Sequence, residues 1–295
     1  MKKTKLCMDT VVDIQVVTEG IEGSLMVERS IERAFEMFRQ VELACSRFDP
    51  DSELMRVCRH VETPVRVSPF LFEPLKFALE IAEWTNGVFD PTVGKLMEER
   101  GFNRRYLTGD IVESTASGFA TFRDIVLNEP EQTICLLQPA VLDLGAVAKG
   151  FAIDLAANEL GSFPGFLINA GGDIYAGGQD ESAEPWTVGI RHPMNRQDVI
   201  YTVSISNEAI CTSGSYERKS PKGIGQHHLI HPQTKLSPSG LVSSSVIAPY
   251  AMLADALSTV SFLLGIDGAL KLIEQVKLKG IFINSSMQII KAGEI

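Results

Sequence analysis

The chain has 295 residues, 45% hydrophobic and 22% charged, a globular composition long enough for a substantial core, which excludes intrinsic disorder. Twenty-seven basic against thirty-seven acidic residues leave a formal net charge of −10 with no long Lys/Arg tract; this excludes a broad nucleic-acid face and leaves an anionic ligand in need of a local cation or backbone amides. Five scattered cysteines with no C-x-x-C pair exclude a disulfide framework and a structural zinc motif, the basic start M-K-K-T-K has no apolar segment behind it, and no stretch reads as a transmembrane span, so a cytoplasmic protein is expected.

Val11 to Val17 is β-branched and alternates imperfectly, which predicts a strand, and Met26 to Phe48 carries apolar residues at helical spacing, which predicts an amphipathic helix. That helix runs into S-R-F-D-P-D-S-E-L, where Asp49 to Ser52 makes a turn and Ser52 or Asp51 caps a short element. Phe70 to Trp84 predicts a second helix, stopped by Asn86-Gly87. In the following G-V-F-D-P-T-V-G, Asp90-Pro91-Thr92 places a carboxylate and a hydroxyl on a proline-imposed turn. Two readings stay open there: a loop with Phe89 plugging the core, or a loop facing a ligand. Thr108 to Gly118 reads as a connector within one domain, ahead of strands at Ile125 to Leu127 and Ile134 to Leu137.

The centre of the chain is V-L-D-L-G-A-V-A-K-G-F-A-I-D, Val141 to Asp154. An apolar run delivers the chain to Asp143, Leu144-Gly145 breaks it, and a helix is expected over Ala146 to Leu160. Helix N-termini present unpartnered N–H groups and a positive dipole end, so this turn is suited to a phosphate, with Lys149 adding a cation. The competing reading is an ordinary strand-to-helix turn capped by Asp143.

Phe166 to Ile168 leads into N-A-G-G-D-I-Y-A-G-G, either a glycine-rich hairpin or a close backbone approach to a ligand around Asp173. Trp186 to Ile190 and Val199 to Ile205 predict paired strands across R-H-P-M-N-R, and Ala209 to Thr212 a strand ending in T-S-G-S-Y-E-R. Three of the five histidines then fall between Gln226 and Pro232. Zinc is one reading, but in an extended strand His228 and His231 lie on opposite faces. A single histidine acting as acid/base or phosphate partner is more economical. Val242 to Ile247 predicts a strand, Met252 to Leu264 a helix, Ala269 to Val276 a closing helix, and the end a hairpin. Asp255 and Thr259 stand four apart on one face of a largely apolar helix, either a solvated polar stripe or oxygen ligands for a hard cation such as magnesium.

Eight stretches, in order, resemble the ApbE family of FAD:protein FMN transferases: M-D-T at Met8, F-D-P-D-S-E-L at Phe48, G-V-F-D-P-T-V-G at Gly87, L-D-L-G-A-V-A-K-G at Leu142, N-A-G-G-D-I at Asn169, T-S-G-S-Y-E-R at Thr212, H-H-L-I-H-P at His227 and A-D-A-L-S-T at Ala254. The resemblance implies an α+β fold, a large mixed sheet with packed helices, in one integrated domain over 1–295. It implies an enzyme that uses Mg2+ to cleave FAD and transfers FMN to a Ser/Thr hydroxyl of an acceptor flavoprotein, releasing AMP. Met8, Phe48, Val88, Phe89, Asp90, Asp143, Lys149 and Leu229 fall where the family contacts FAD. Asp255, Thr259 and the Ala146 carbonyl fall on its magnesium site, and His228 on its catalytic histidine, which takes the acceptor's proton. This chain departs from the usual motifs in three places: Asp9 stands where Gly is usual, His231 where Asp is common, and Lys235 where Gly is common. The rival functions are an FAD pyrophosphatase, with water replacing the acceptor, and a non-catalytic FAD-binding module.

Overall fold

The computed structural model describes residues 1–18, 23–105, 108–114, 120–195, 197–223 and 226–294. Residues 115–118 of the expected connector and Arg196 of the R-H-P-M-N-R loop lie outside them. The chain begins with β1 (Lys2–Cys7), β2 (Thr10–Val16), α1 (Ser24–Cys45), α2 (Glu53–Arg59), β3 (Val65–Arg66), α3 (Pro69–Trp84) and α4 (Gly94–Glu99). It continues through β4 (Ile125–Asn128), β5 (Thr133–Leu136), α5 (Ala148–Leu160), β6 (Gly165–Ala170), β7 (Asp173–Gly178), β8 (Trp186–Arg191) and β9 (Val199–Ile205). It closes with β10 (Glu208–Gly214), β11 (Leu241–Ala248), α6 (Ala251–Val276), β12 (Lys279–Asn284) and β13 (Ile289–Ala292).

An eight-stranded sheet in the order β1-β2-β6-β7-β10-β11-β12-β13 carries the α+β architecture. Where a mixed sheet was expected, each of its pairings is antiparallel. Two of the pairings, β1–β2 and β6–β7, are hairpins whose two-residue turns return the chain beside itself. Met8 and Asp9 both adopt the left-handed conformation (φ 51° and 56°) between the paired residues Cys7 and Thr10. Gly171 and Gly172 do the same between Ala170 and Asp173, and a Cβ on Gly171 would sit 2.3 Å from Thr10 Oγ1. The second hairpin is therefore held against the first, as the glycine-rich reading anticipated.

Helices cover one face of the sheet. The stripe Val27, Ile31, Ala34, Phe35, Phe38 and Val41 buries α1 in the core, where it packs on α5, while α6 lies along β10 and β11. The β8–β9 hairpin covers the other face through Trp186, Val188, Ile190, Val203 and Ile205. Two covers explain why β11 is buried almost throughout, rather than alternating.

Several boundaries move. α1 stops at Cys45, so Phe48 belongs to the turn, and Ser52 Oγ caps α2 by accepting from the Met55 N–H at 3.1 Å. The run feeding Asp143 is not a strand of the main sheet: β5 lies in a small β3-β5-β4 sheet, and Val141 makes only an isolated bridge to Val93. By length and composition α6 is apolar enough to cross a membrane, although its two halves read as separate short helices in the sequence. Gly265 breaks it (φ 71°, ψ −176°), and its first half is buried in the core.

Candidate functional site

The site is built where α5 crosses the start of α6. A Cβ on Gly150 would lie 2.5 Å from both the Ala251 carbonyl oxygen and Met252 Cα, so only glycine permits this approach. The Gly150 N–H turns out of the helical ladder and donates to Asp255 Oδ2 at 3.2 Å. Among the described residues, no backbone N–H replaces it on the Ala146 carbonyl, one turn back. α5 accordingly begins at Ala148 and not at Ala146.

Asp255 is 5% exposed, and burial raises its pKa, opposed by the charge of Lys149 and the Gly150 N–H. One turn on, Thr259 Oγ1 lies 2.9 Å from Ser213 Oγ at the end of β10, and Ser213 Oγ is also 2.9 Å from Ser258 Oγ. All three polar side chains of the A-D-A-L-S-T motif, Asp255, Ser258 and Thr259, therefore face the interior and not a solvated stripe. Lys149 forms an ion pair with Asp173 on the β6–β7 hairpin, and Asp173 Oδ1 accepts from the Thr212 N–H at 2.9 Å. Asp154 anchors the start of α6 by accepting from the Ala251 and Met252 N–H groups at 2.7 and 2.9 Å; burial lifts its pKa to about 6. Asp255 and Thr259, one turn apart and buried on α6, and the Ala146 carbonyl just ahead of α5 are all oxygen donors, the chemistry that suits a hard divalent cation.

The segment leaving this junction carries Asp143. Its N–H donates to the Pro91 carbonyl at 2.8 Å, its Oδ1 accepts from the Gly145 N–H at 2.8 Å, and its Oδ2 lies 2.5 Å from Nε of Arg47. The Val147 and Ala148 N–H groups return to the Leu144 carbonyl. Three amides of this turn, those of Gly145, Val147 and Ala148, are thus spent internally, and Asp143 caps the turn. Arg47 lies over the Phe48 ring, 4.2 Å from its centroid, and donates to the Phe102 carbonyl.

The loop at 88–90 bears out the reading in which Phe89 plugs the core. Phe89 is buried in the core. Asp90 is also buried, its oxygens accepting from the Thr92 N–H at 2.9 Å, the Thr92 hydroxyl at 2.8 Å and the Phe122 N–H at 3.1 Å. Burial still raises its pKa. Val88 is half-buried beside them, and Met8, in the β1–β2 turn, donates its N–H to Glu42 Oε2 at 2.9 Å.

The histidines separate. His227 is a core residue, with Nε2 2.9 Å from the Pro238 carbonyl and its ring edge-on to Phe262. His228 is half-buried, with its ring 6.3 Å from that of Phe102 at 71° and its N–H donating to the Arg218 carbonyl at 3.2 Å. Burial first, and then the Arg218 charge, push its pKa down to about 3, so the imidazole is neutral and able to accept a proton. Leu229 is buried beside it. The segment is a loop and not a strand, and among the described residues no group of three or more His, Cys, Asp and Glu stands together as a metal site. Two of the three motif departures fall on left-handed backbone, Asp9 (φ 56°) and Lys235 (φ 58°), where glycine is the easiest choice; the conformation is kept without it. Sequence reasoning missed the roles of Arg47, Ser213 and Asp173, the partner of Lys149, although all three sit inside stretches it had singled out.

A model of the ApbE family matches residues 8–282. The chain is 32% identical over 274 residues to a protein of Treponema pallidum named FAD:protein FMN transferase, covering 84% of this chain and 75% of that protein. It is 29% identical to one of the same name from Haemophilus influenzae, covering 87% and 79%. Among solved structures, the ApbE protein of Thermotoga maritima superposes with a TM-score of 0.86 at 26% identity, over 99% of this chain and 96% of that one. The flavin transferase ApbE of Vibrio cholerae gives 0.82 at 24% identity, over 99% and 96%, and shares the fold.

Proposed function

This chain belongs to the ApbE family, and from that membership we infer that it is an FAD:protein FMN transferase, moving FMN from FAD to an acceptor flavoprotein and releasing AMP. We further propose that the acceptor group is a Ser or Thr hydroxyl and that the reaction uses Mg2+ held by Asp255, Thr259 and the Ala146 carbonyl. The observation that carries the cation reading is the Gly150 N–H, which donates to the buried Asp255 carboxylate, with the buried Thr259 hydroxyl one turn further along α6. Bound there, the cation would offset the negative charge of the pyrophosphate in a chain that is itself acidic.

The chain's own residues supply the rest. Neutral His228 accepts the proton of the acceptor hydroxyl as its oxygen forms a bond to the FMN phosphorus. The bond from that phosphorus to the bridging pyrophosphate oxygen breaks, and AMP leaves with that oxygen. Lys149, oriented by Asp173, keeps a positive charge beside Asp255. Asp143, Phe48, Leu229, Met8 and the 88–90 loop hold FAD. Because the site draws on residues from Met8 to Thr259, we take the chain as one integrated catalytic unit. Five free cysteines accord with a reducing, cytoplasmic setting.

The test is incubation with FAD, with and without Mg2+, with and without an acceptor domain carrying a Ser/Thr target, followed by acceptor mass and nucleotide analysis. Acceptor gaining FMN, with AMP released only when Mg2+ is present, is the expected result. FMN and AMP without modified acceptor point to pyrophosphatase activity, and unchanged FAD to a binding module.

A further inference from the structure

We propose that Arg47 is the positioning residue of the FAD site: one buried guanidinium fixes the Asp143 carboxylate, backs the Phe48 ring and holds the Phe102 wall beside His228. This rests on the reading above in which Asp143 and Phe48 contact FAD. Arg47 is 6% exposed, yet it belongs to no regular element, standing two residues past the end of α1. A buried guanidinium is costly unless its donors are matched. Here Nε reaches Asp143 Oδ2 at 2.5 Å, Nη2 donates to the Phe102 carbonyl, and the plane lies over the Phe48 ring, 4.2 Å from its centroid. Three chain segments, 47–48, 102 and 143, are thereby tied through one side chain.

The arrangement has a chemical purpose for an anionic ligand. A carboxylate near a pyrophosphate repels it unless its charge is matched, and the chain's net charge of −10 worsens the problem. Asp143 is pinned on one oxygen by the Gly145 N–H and on the other by Arg47, while 16% of its side chain remains exposed. What it can still offer outward is lone pairs for a hydroxyl or amino donor, which suits the ribose, ribityl or adenine parts of a dinucleotide. Lysine cannot replace the fork: it has no planar donors to serve Asp143 and Phe102 together and no plane to lie on Phe48.

The test is FAD binding, followed by flavin fluorescence in the full chain, alongside KM and kcat for Arg47→Met, Arg47→Lys, Asp143→Asn and the Arg47→Met/Asp143→Asn pair. Arg47→Met is expected to raise Kd and KM for FAD by about tenfold or more, the scale of a lost charged hydrogen bond, with kcat within about threefold. Arg47→Lys should recover part of this, and Arg47→Met should add less than about threefold on top of Asp143→Asn. Unchanged FAD affinity in a folded Arg47→Met, or losses that multiply fully in the double variant, would overturn the proposal. Should Arg47→Met not fold, Arg47→Lys with Asp143→Asn gives the same comparison. A wild-type chain that binds no FAD would instead overturn the functional reading on which the proposal stands.

Discussion

The two halves of the site are built from different material. The proposed cation half stands mostly on regular elements, with Gly150 on α5, Asp255 and Thr259 on α6, Ser213 at the end of β10 and Asp173 at the start of β7, all buried, and only Ala146 in the turn ahead of α5. The histidine half, with Arg47, Phe48, Phe102, Asp143 and His228, stands on turns and loops, and His228 is only half-buried. The proposed cation needs its ligands fixed to a fraction of an ångström, which packed helices and strands supply, whereas the proposed acceptor hydroxyl must enter from solvent. The difference predicts that damage to the first half is severe and hard to rescue, and that damage to the second separates binding from chemistry.

The largest effect is expected from Asp255→Ala. It removes the only carboxylate of the proposed oxygen set, and Mg2+-dependent turnover should fall by about a thousandfold or more. The metal-free protein should lose about 1–3 kcal/mol of stability with it, because the buried Gly150 N–H is left without its acceptor. Turnover across a Mg2+ titration, paired with thermal melts without metal, checks both claims. Activity within tenfold of wild type would remove Asp255 from the site.

His228→Ala should cost about 100- to 10,000-fold in transfer, the range for a lost general base, while FAD affinity stays within about threefold. Affinity lost in parallel with turnover would make His228 a binding residue and erase the contrast between the halves. Gly150→Ala tests the seam between α5 and α6. Its new methyl group meets backbone at 2.5 Å, which no side-chain rotation relieves, so about 1–3 kcal/mol of stability and a weakened Mg2+ dependence are expected together. Denaturant unfolding with a metal titration reads both, and a fully stable variant with normal Mg2+ affinity would mean the helices do not need this approach.

Much of this contrast was legible from residues alone, for physical reasons that differ by region. Asp255 and Thr259 share a helix face by their spacing, so their alignment is local information. The Arg47–Asp143 pair joins positions 47 and 143, and only tertiary packing brings them together. Local pattern likewise could not show that the Asp90 carboxylate is already spent inside the protein, since its partners include the distant Phe122 N–H. β1 was missed because it is an edge strand studded with Lys2, Lys3 and Lys5, which reads as an unstructured basic start although charged edges are how sheets resist further pairing. The helix after Asp143 starts two residues later than its sequence suggests, and the cause again lies far away, at Asp255.

The smallest effect concerns pH, and it sharpens the comparison most. An unperturbed histidine would be about three-quarters protonated at pH 6 and would cost a general base most of its rate there. Burial and the Arg218 charge depress the His228 pKa, to about 3, so its neutral form persists through mild acid. The sign is fixed by its role: a base with a lowered pKa keeps its activity as pH falls, where one with a raised pKa would lose it early. Under saturating FAD and Mg2+, the single-turnover transfer rate should therefore change by less than about twofold between pH 8 and pH 6. Arg218→Gln removes the positive charge that opposes protonation and should move the acid limb upward in pH, toward the ordinary histidine range. A wild-type profile that already halves near pH 6.5 would mean His228 titrates as an exposed side chain, and that the loop half of the site is formed only once the acceptor has docked.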